Sequence, residues 1–167
     1  MDIRLLTSED AVSYRALRLR SLQENPEAFL VTYDSEVSKP IEEIQHKLQS
    51  SSNRFTLGCF DKQELVGMVT FVREQHLKTI HKGNIYAMYV SPTCRGEKIG
   101  KALITALIAR ARLFEGLEQI GLTVISDNIA AKQLYGSLGF TACGVERNAL
   151  KYKGQYWDEE RMVLRLK

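Results

Sequence analysis

The chain is poor in the features that mark specialised architectures. Its three cysteines are odd in number and dispersed at positions 59, 94 and 143, which excludes a disulfide framework and fits a reducing, cytoplasmic setting. No uninterrupted apolar run approaches the roughly 20 residues of a membrane span, so no membrane partner is expected. Met1-Asp2-Ile3-Arg4-Leu5 lacks the charged, apolar and small-residue order of a secretory signal. Charge of one sign is also scarce. The net charge is +3, with lysine and arginine scattered among acids, so nucleic acid is not an expected partner and any anion must be met locally. His76 and His81 stand without cysteine or acid support, and no metal is assigned. There is no internal repeat, no low-complexity tract, no Gly-x-Gly-x-x-Gly and no Gly-x-x-x-x-Gly-Lys-Ser/Thr, which removes the dinucleotide and nucleotide-triphosphate readings.

What is present suits a single soluble domain over residues 1–167, with 44% hydrophobic and 26% charged residues. Residues 2–6 alternate as a short strand, and Thr7-Ser8-Glu9-Asp10 supplies a capping-box start to a helix ending near Gln23. Pro26 to Ser38 shows no clear period and is a candidate lid, after which Ser38-Lys39-Pro40 opens a helix to about Gln49. Phe55–Phe60 and Leu65–Val72 read as a hairpin around Asp61-Lys62-Gln63-Glu64. A polar loop then leads to the strand Ile85–Val90, stopped by Pro92. Ile99, Ala102, Leu103, Ala106 and Leu107 recur at helical spacing up to about Phe114, with Gly116 as the stop. A strand over 117–125, a helix over 128–137 and two strands joined at Lys153-Gly154 complete the order β-α-α-β-β-β-α-β-α-β-β, a mixed sheet covered by helices.

Two segments carry chemistry. Arg95-Gly96-Glu97-Lys98-Ile99-Gly100 runs from a strand straight into a helix. There, small residues let backbone N–H groups approach an anion and the helix adds the positive end of its dipole. About 30 residues on, Asn128-Ile129-Ala130-Ala131-Lys132-Gln133-Leu134-Tyr135 closes with Gly139-Phe140 as a strand end, a short helix and a stop. Taken alone, the first segment reads equally as an ordinary turn, Asn128 as a helix cap and Tyr135 as a core aromatic.

Together the two segments resemble the signatures of the GNAT (Gcn5-related) N-acetyltransferase family, and the order of elements matches over essentially the whole length. The family's turn has the form Arg/Gln-x-x-Gly-x-Gly/Ala, supplied here by Arg95 and Gly100, with Lys98 where a glycine is usual. A negative φ at Lys98 would let it donate its amide in the glycine's place. The second signature, Asn-x-x-Ala-x-x-Leu-Tyr-x-x-x-Gly-Phe, is complete in Asn128, Ala131, Leu134, Tyr135, Gly139 and Phe140. The resemblance implies an α/β GNAT acyl-CoA N-acyltransferase fold, with a central mixed, mostly antiparallel sheet flanked by helices. It implies acetyl-CoA as co-substrate and direct transfer of acetyl to a primary amine of a small molecule or peptide. Met88, Tyr89 and Val90 would meet the pantetheine arm, joined by Asn128 and Ala131. Arg95, Gly96, Lys98, Ile99, Gly100 and Lys101 would meet the pyrophosphate, with Lys101 or Lys132 at a peripheral phosphate. Tyr135 would face the sulfur as the proton donor to the departing thiolate.

The general base is not fixed by the sequence. Ile85–Val90 contains no acid, and Asn84 stands nearest to the position where some relatives carry glutamate. Tyr86 and Tyr89, as the lining of a water relay, and Asp34 and Glu36, entering from the loop, are the alternatives. Phe29 and Tyr33 are candidates for the acceptor pocket, while Tyr156 and Trp157 read as core or interface residues with the pocket as the alternative. Cys59 and Cys143 read as small core thiols. A non-catalytic acyl-CoA-binding or sensing module is the reading from another class, and a homodimer through the last strands or an exposed sheet edge is a further expectation.

Overall fold

A computed structural model describes residues 1–167. Its strands are β1 (Asp2–Leu5), β2 (Arg54–Asp61), β3 (Glu64–Arg73), β4 (Lys82–Val90), β5 (Gln119–Ile125), β6 (Thr141–Tyr152) and β7 (Gln155–Arg165). Its helices are α1 (Ala11–Glu24), α2 (Tyr33–Val37), α3 (Ile41–Leu48), α4 (Ile99–Ala111) and α5 (Ile129–Ser137). The strands form one sheet in the order β1-β2-β3-β4-β5-β7-β6. Only the β4–β5 pair is parallel, so the sheet is mixed and mostly antiparallel. No helix is long and apolar enough to cross a membrane.

Each face of the sheet is covered for a reason visible in its residues. Helix α4 is apolar along the side formed by Leu103, Ile104, Leu107 and Ala111, all fully buried over β2 and β3. Each of these leucine and isoleucine side chains contributes roughly 1.5–3 kcal/mol on burial. On the same side the rings of Phe55, Phe71 and Phe114 stack with centroids 5.2–5.9 Å apart. Helices α1 and α3 cover the other face of β1–β4 with a second cluster that includes Leu6, Leu17, Ile44, Leu48 and Met68. The chain enters α1 through a 3-10 turn at Ser8–Asp10, where the Asp10 carboxylate accepts the Thr7 N–H at 2.8 Å and an Arg4 guanidinium N–H at 2.8 Å. Those bonds hold the Asp10 carboxyl below its ordinary range, the Arg4 hydrogen bond being the largest cause.

Two expectations are corrected. The segment after Pro26 is not without structure: it forms a 3-10 turn at Pro26–Ala28 and then α2. Thr32 Oγ1 accepts the Ser35 N–H, and Ser35 Oγ accepts the Thr32 N–H, each at 3.2 Å. This reciprocal cap replaces the acidic capping residue that would have marked the helix in the sequence, and α2 is too short to show a period. Cys59 is buried in the core, but Cys143 is exposed, because β6 lies at the sheet edge with most of its side chains in solvent.

Candidate active site

The parallel pairing of β4 and β5 is short. It comprises Lys82 with Gln119, Gly83 with Ile120 and Asn84 with Gly121, and then stops. Beyond it β4 carries a bulge: Met68 opposes Tyr89 and Thr70 opposes Tyr86, leaving Ala87 and Met88 against Val69, with Ala87 at φ 53°. A bulge bends and twists its strand, so β4 turns away from β5 and a wedge opens between their carboxyl ends. The Ser91 N–H bonds to the Val66 carbonyl at 2.8 Å. By the alternation of an antiparallel ladder, Tyr89 also turns its backbone groups to β3, while Val90 turns its own to the wedge. The Val90 carbonyl accepts Arg95 Nε at 3.1 Å, and its N–H remains available on that side.

The apex of the wedge is clipped from outside. Arg161 on β7 reaches across Gly121 to donate to Asn84 Oδ1 at 2.7 Å, and Asn84 Nδ2 donates to Glu74 Oε1 at 2.7 Å. A Cβ at position 121 would sit 2.1 Å from the guanidinium, so this crossing requires glycine. Asn84 therefore belongs to a structural chain at the last paired residue of the wedge.

At the mouth of the wedge stands the N-terminus of α4. Its first helical bond runs from the Ala102 N–H to the Lys98 carbonyl at 3.0 Å, and no side chain caps the turn. The amides of Lys98, Ile99, Gly100 and Lys101 are thus the free donors of a helix start. Lys98 lies at φ 63°, ψ 14°, in the left-handed region, which corrects the expectation of a negative φ there. The turn keeps the shape a glycine would give it, with lysine in its place, and Gly96 at φ 87° supplies the other left-handed residue. Gly100 packs tightly: a Cβ there would lie 3.2 Å from Leu134 and 3.3 Å from Met88, so its absence brings α4, α5 and β4 together. The Ile99 side chain is buried in the core and the Lys98 and Lys101 side chains are exposed. The Arg95 guanidinium also bonds Asn25 Oδ1 at 3.3 Å, tying the turn to the end of α1.

Across the wedge, Asn128 Oδ1 caps α5 by accepting the Ala131 N–H at 3.1 Å. Tyr135 follows on this helix, buried with its ring edge-on to Phe140 at 5.7 Å, and burial pushes its phenol up to about 12. Lys132 is engaged elsewhere, with Nζ 3.2 Å from Glu160 and 3.3 Å from the Ser126 carbonyl.

Because Glu160 faces α5, its neighbours Trp157, Glu159 and Arg161 face the opposite side of the sheet. That side holds two depressions. One, of about 120 Å³, lies between the segment after α1 and the β6–β7 hairpin, and brings Phe29 and Tyr33 together with Tyr152 and Trp157. The other is an open groove of about 290 Å³ lined by Thr123, Glu146, Glu159 and Arg161. Glu159 opposes Ile125 at the end of β5. Its pKa is raised by burial and then by the neighbouring Glu146 carboxylate, and it forms no ion pair. The sequence reading missed Glu159, although the alternation of Trp157, Glu159 and Arg161 along one strand was a usable signal. The earlier candidates are placed differently: Tyr86 and Asp34 are exposed, Glu36 pairs with Lys39, and Tyr89 hydrogen-bonds Glu24. Burial first and Glu24 second push Tyr89 up to about 12.

The acetyltransferase (GNAT) domain family matches residues 3–160, and the chain belongs to it. It is 25% identical over 140 residues to mycothiol acetyltransferase of Brachybacterium faecium, covering 82% of this chain and 39% of that protein. The chain spans between 17% and 39% of the lengths of the curated relatives it matches. Among solved structures, the GNAT-family acetyltransferase from Streptococcus pneumoniae superposes with TM-score 0.91 at 24% identity, over 99% of each chain. The yncA protein of Salmonella typhimurium, solved with its cofactor acetyl-CoA, superposes with TM-score 0.83 at 20% identity, over 100% of this chain and 94% of that one. These likenesses show a shared fold.

Proposed function

We propose that the chain transfers the acetyl group of acetyl-CoA directly to a primary amine within a ternary complex. The observation that carries this reading is the wedge between β4 and β5, set between an uncapped helix N-terminus on one side and Tyr135 on the other. The free amides of residues 98–101 fit a pyrophosphate. Lys101 offers an exposed ammonium for a peripheral phosphate, while Lys132 would have to leave Glu160 to do so. The Val90 N–H suits the peptide-like arm or the thioester carbonyl.

Acetyl-CoA supplies an acyl carbon activated by a thioester. The amine nitrogen bonds to that carbon, the carbon–sulfur bond breaks with its electrons going to sulfur, and the amine proton passes to a carboxylate or to water. Val90 stabilises the charge that develops on the carbonyl oxygen. Glu159, on the open face beside the end of β5, is the best placed proton acceptor, directly or through water. Tyr135 acts on the sulfur. Burial raises the Tyr135 phenol well above an ordinary thiol, so complete proton transfer to the departing thiolate runs uphill. Tyr135 therefore serves as a hydrogen-bond donor to the leaving sulfur rather than as a full acid. A hydrogen bond to a charged group is worth about 1.5–3 kcal/mol. Tyr135→Phe is then expected to lower kcat about 10- to 100-fold, with the acetyl-CoA Kd from calorimetry unchanged. An unchanged kcat would remove Tyr135 from the chemistry.

A further inference from the structure

The chemistry of the acceptor follows from an unanswered charge in the open groove, and this inference rests on the transferase reading above. Arg161 projects from β7 over Gly121, donates one N–H to Asn84 Oδ1 at 2.7 Å and forms no ion pair. Asn84 is a neutral partner, fixed in turn by Glu74 at 2.7 Å, so the guanidinium is held in one orientation without a direct counter-ion. Its Nε and Nη1 bond to nothing in the protein, and neither is sealed from solvent. Both are therefore available to the groove of about 290 Å³ that Arg161 lines with Thr123, Glu146 and Glu159.

The floor of this groove is uncovered. Thr123, directly opposite Arg161 in the β5–β7 ladder, is exposed, and so is Tyr86, two residues beyond Asn84 on β4. Both strands lie inside the sheet, so the helices leave this stretch open. Toward the wedge mouth Glu159 stands two residues from Arg161 on the same side of β7, opposite Glu146, and neither carboxylate has an ion pair. The groove thus sets a fixed cation and a pair of carboxylates roughly 7 Å apart along one strand. An amine with only neutral substituents would cover the guanidinium and leave its N–H groups without acceptors, an unfavourable burial. A carboxylate takes those N–H groups as charge-assisted bonds, its two oxygens matching the guanidinium fork.

We propose that the preferred acceptor is a primary amine that carries a carboxylate. Arg161 holds the carboxylate, while Glu159 and Glu146 draw the ammonium toward the wedge. The size of the groove, near the roughly 300 Å³ lower end of small-ligand sites, fits a free amino acid. An acidic residue at a peptide N-terminus presents the same pair of charges.

The test compares glycine, β-alanine, γ-aminobutyrate and δ-aminovalerate with their carboxamides on the full chain, by acetyl transfer. Glutamyl-alanine amide against glutaminyl-alanine amide forms the peptide arm. Binding of each acid and amide is measured by calorimetry, with and without CoA, and needs no turnover. The expected result is kcat/KM at least about 10-fold higher for the acid than for its amide at the best chain length, with Kd values ordered alike. Arg161→Gln should bring this ratio to about 1, and Arg161→Lys should keep part of it. Loss of the Asn84 clip alone would lower transfer to acid and amide together and leave the ratio standing. The preference appearing in the peptide pair alone assigns the carboxylate to a peptide, and in the amino acids to a free metabolite; either supports the inference. Amides transferred as well as acids in both arms, or a ratio unchanged in Arg161→Gln, would overturn it. Absence of transfer to every amine would instead overturn the transferase reading. The acid and amide Kd values of the unaltered protein then decide the groove, and equal values reject the carboxylate site.

Discussion

Lys98 holds a backbone conformation that glycine adopts at lower cost. The left-handed region costs an L-residue about 1–2 kcal/mol, offset in part by the greater flexibility glycine brings to the unfolded chain. Lys98→Gly is therefore expected to raise stability by up to about 1 kcal/mol in urea unfolding and to leave acetyl-CoA binding intact, because the amide keeps its place. A marked loss of binding would show that the lysine side chain itself holds the ligand. Glu159 yields a pH prediction. Only the ionised carboxylate accepts a proton, and its pKa is raised by burial and by Glu146, so kcat/KM should climb with pH until it passes that raised value. Glu159→Gln should lower kcat/KM about 100-fold and flatten this acidic limb; an unaltered pH profile would assign the limb to another group. At this scale the sequence disclosed residue types and spacing but not faces. Tyr135, Asn128 and Gly100 were legible because local signatures contain them, whereas Glu159 acquires its environment only when β5, β6 and β7 pair.

At the scale of elements, the wedge is the outcome of two opposing devices. The bulge at Ala87 turns β4 aside, and the Arg161 to Asn84 bond stops the separation from running further back along the pair. Gly121 makes that crossing possible. In Gly121→Ala the new Cβ would meet the guanidinium at 2.1 Å, so either Arg161 leaves Asn84 or β5 shifts. The expected cost is about 1–3 kcal/mol of stability with a weaker acetyl-CoA Kd, read by urea unfolding and calorimetry on the same protein. Unchanged stability and binding would show that the clip is dispensable. Strand and helix order could be read from the sequence, since periodicity and turn residues are local properties. Helix α2 could not, because five residues hold little more than one turn, and neither could the bulge, because alanine at φ 53° gives no compositional warning.

At the scale of the whole molecule, the proposed function divides between the two faces of the sheet. On the proposed reading, the face bearing α4 and α5 would offer helix-start amides, Val90 and Tyr135 to an anionic, peptide-like co-substrate. On the same reading, the face bearing α1 and α2 would offer Glu159 to an amine, and the wedge is where the two would meet. This division explains how much function the sequence disclosed. The co-substrate side is built largely from contiguous motifs, whereas the acceptor side is assembled from the segment after α1 and the β6–β7 hairpin, more than 100 residues away along the chain. The most direct test of the account is thiol release from acetyl-CoA by the full chain, with and without a primary amine and with spontaneous hydrolysis subtracted. The account predicts release that depends on the amine and saturates with it, matched by acetylated amine in equal amount. Release that ignores the amine, or acetyl-CoA bound tightly with no release across apolar and polar amines alike, would contradict it.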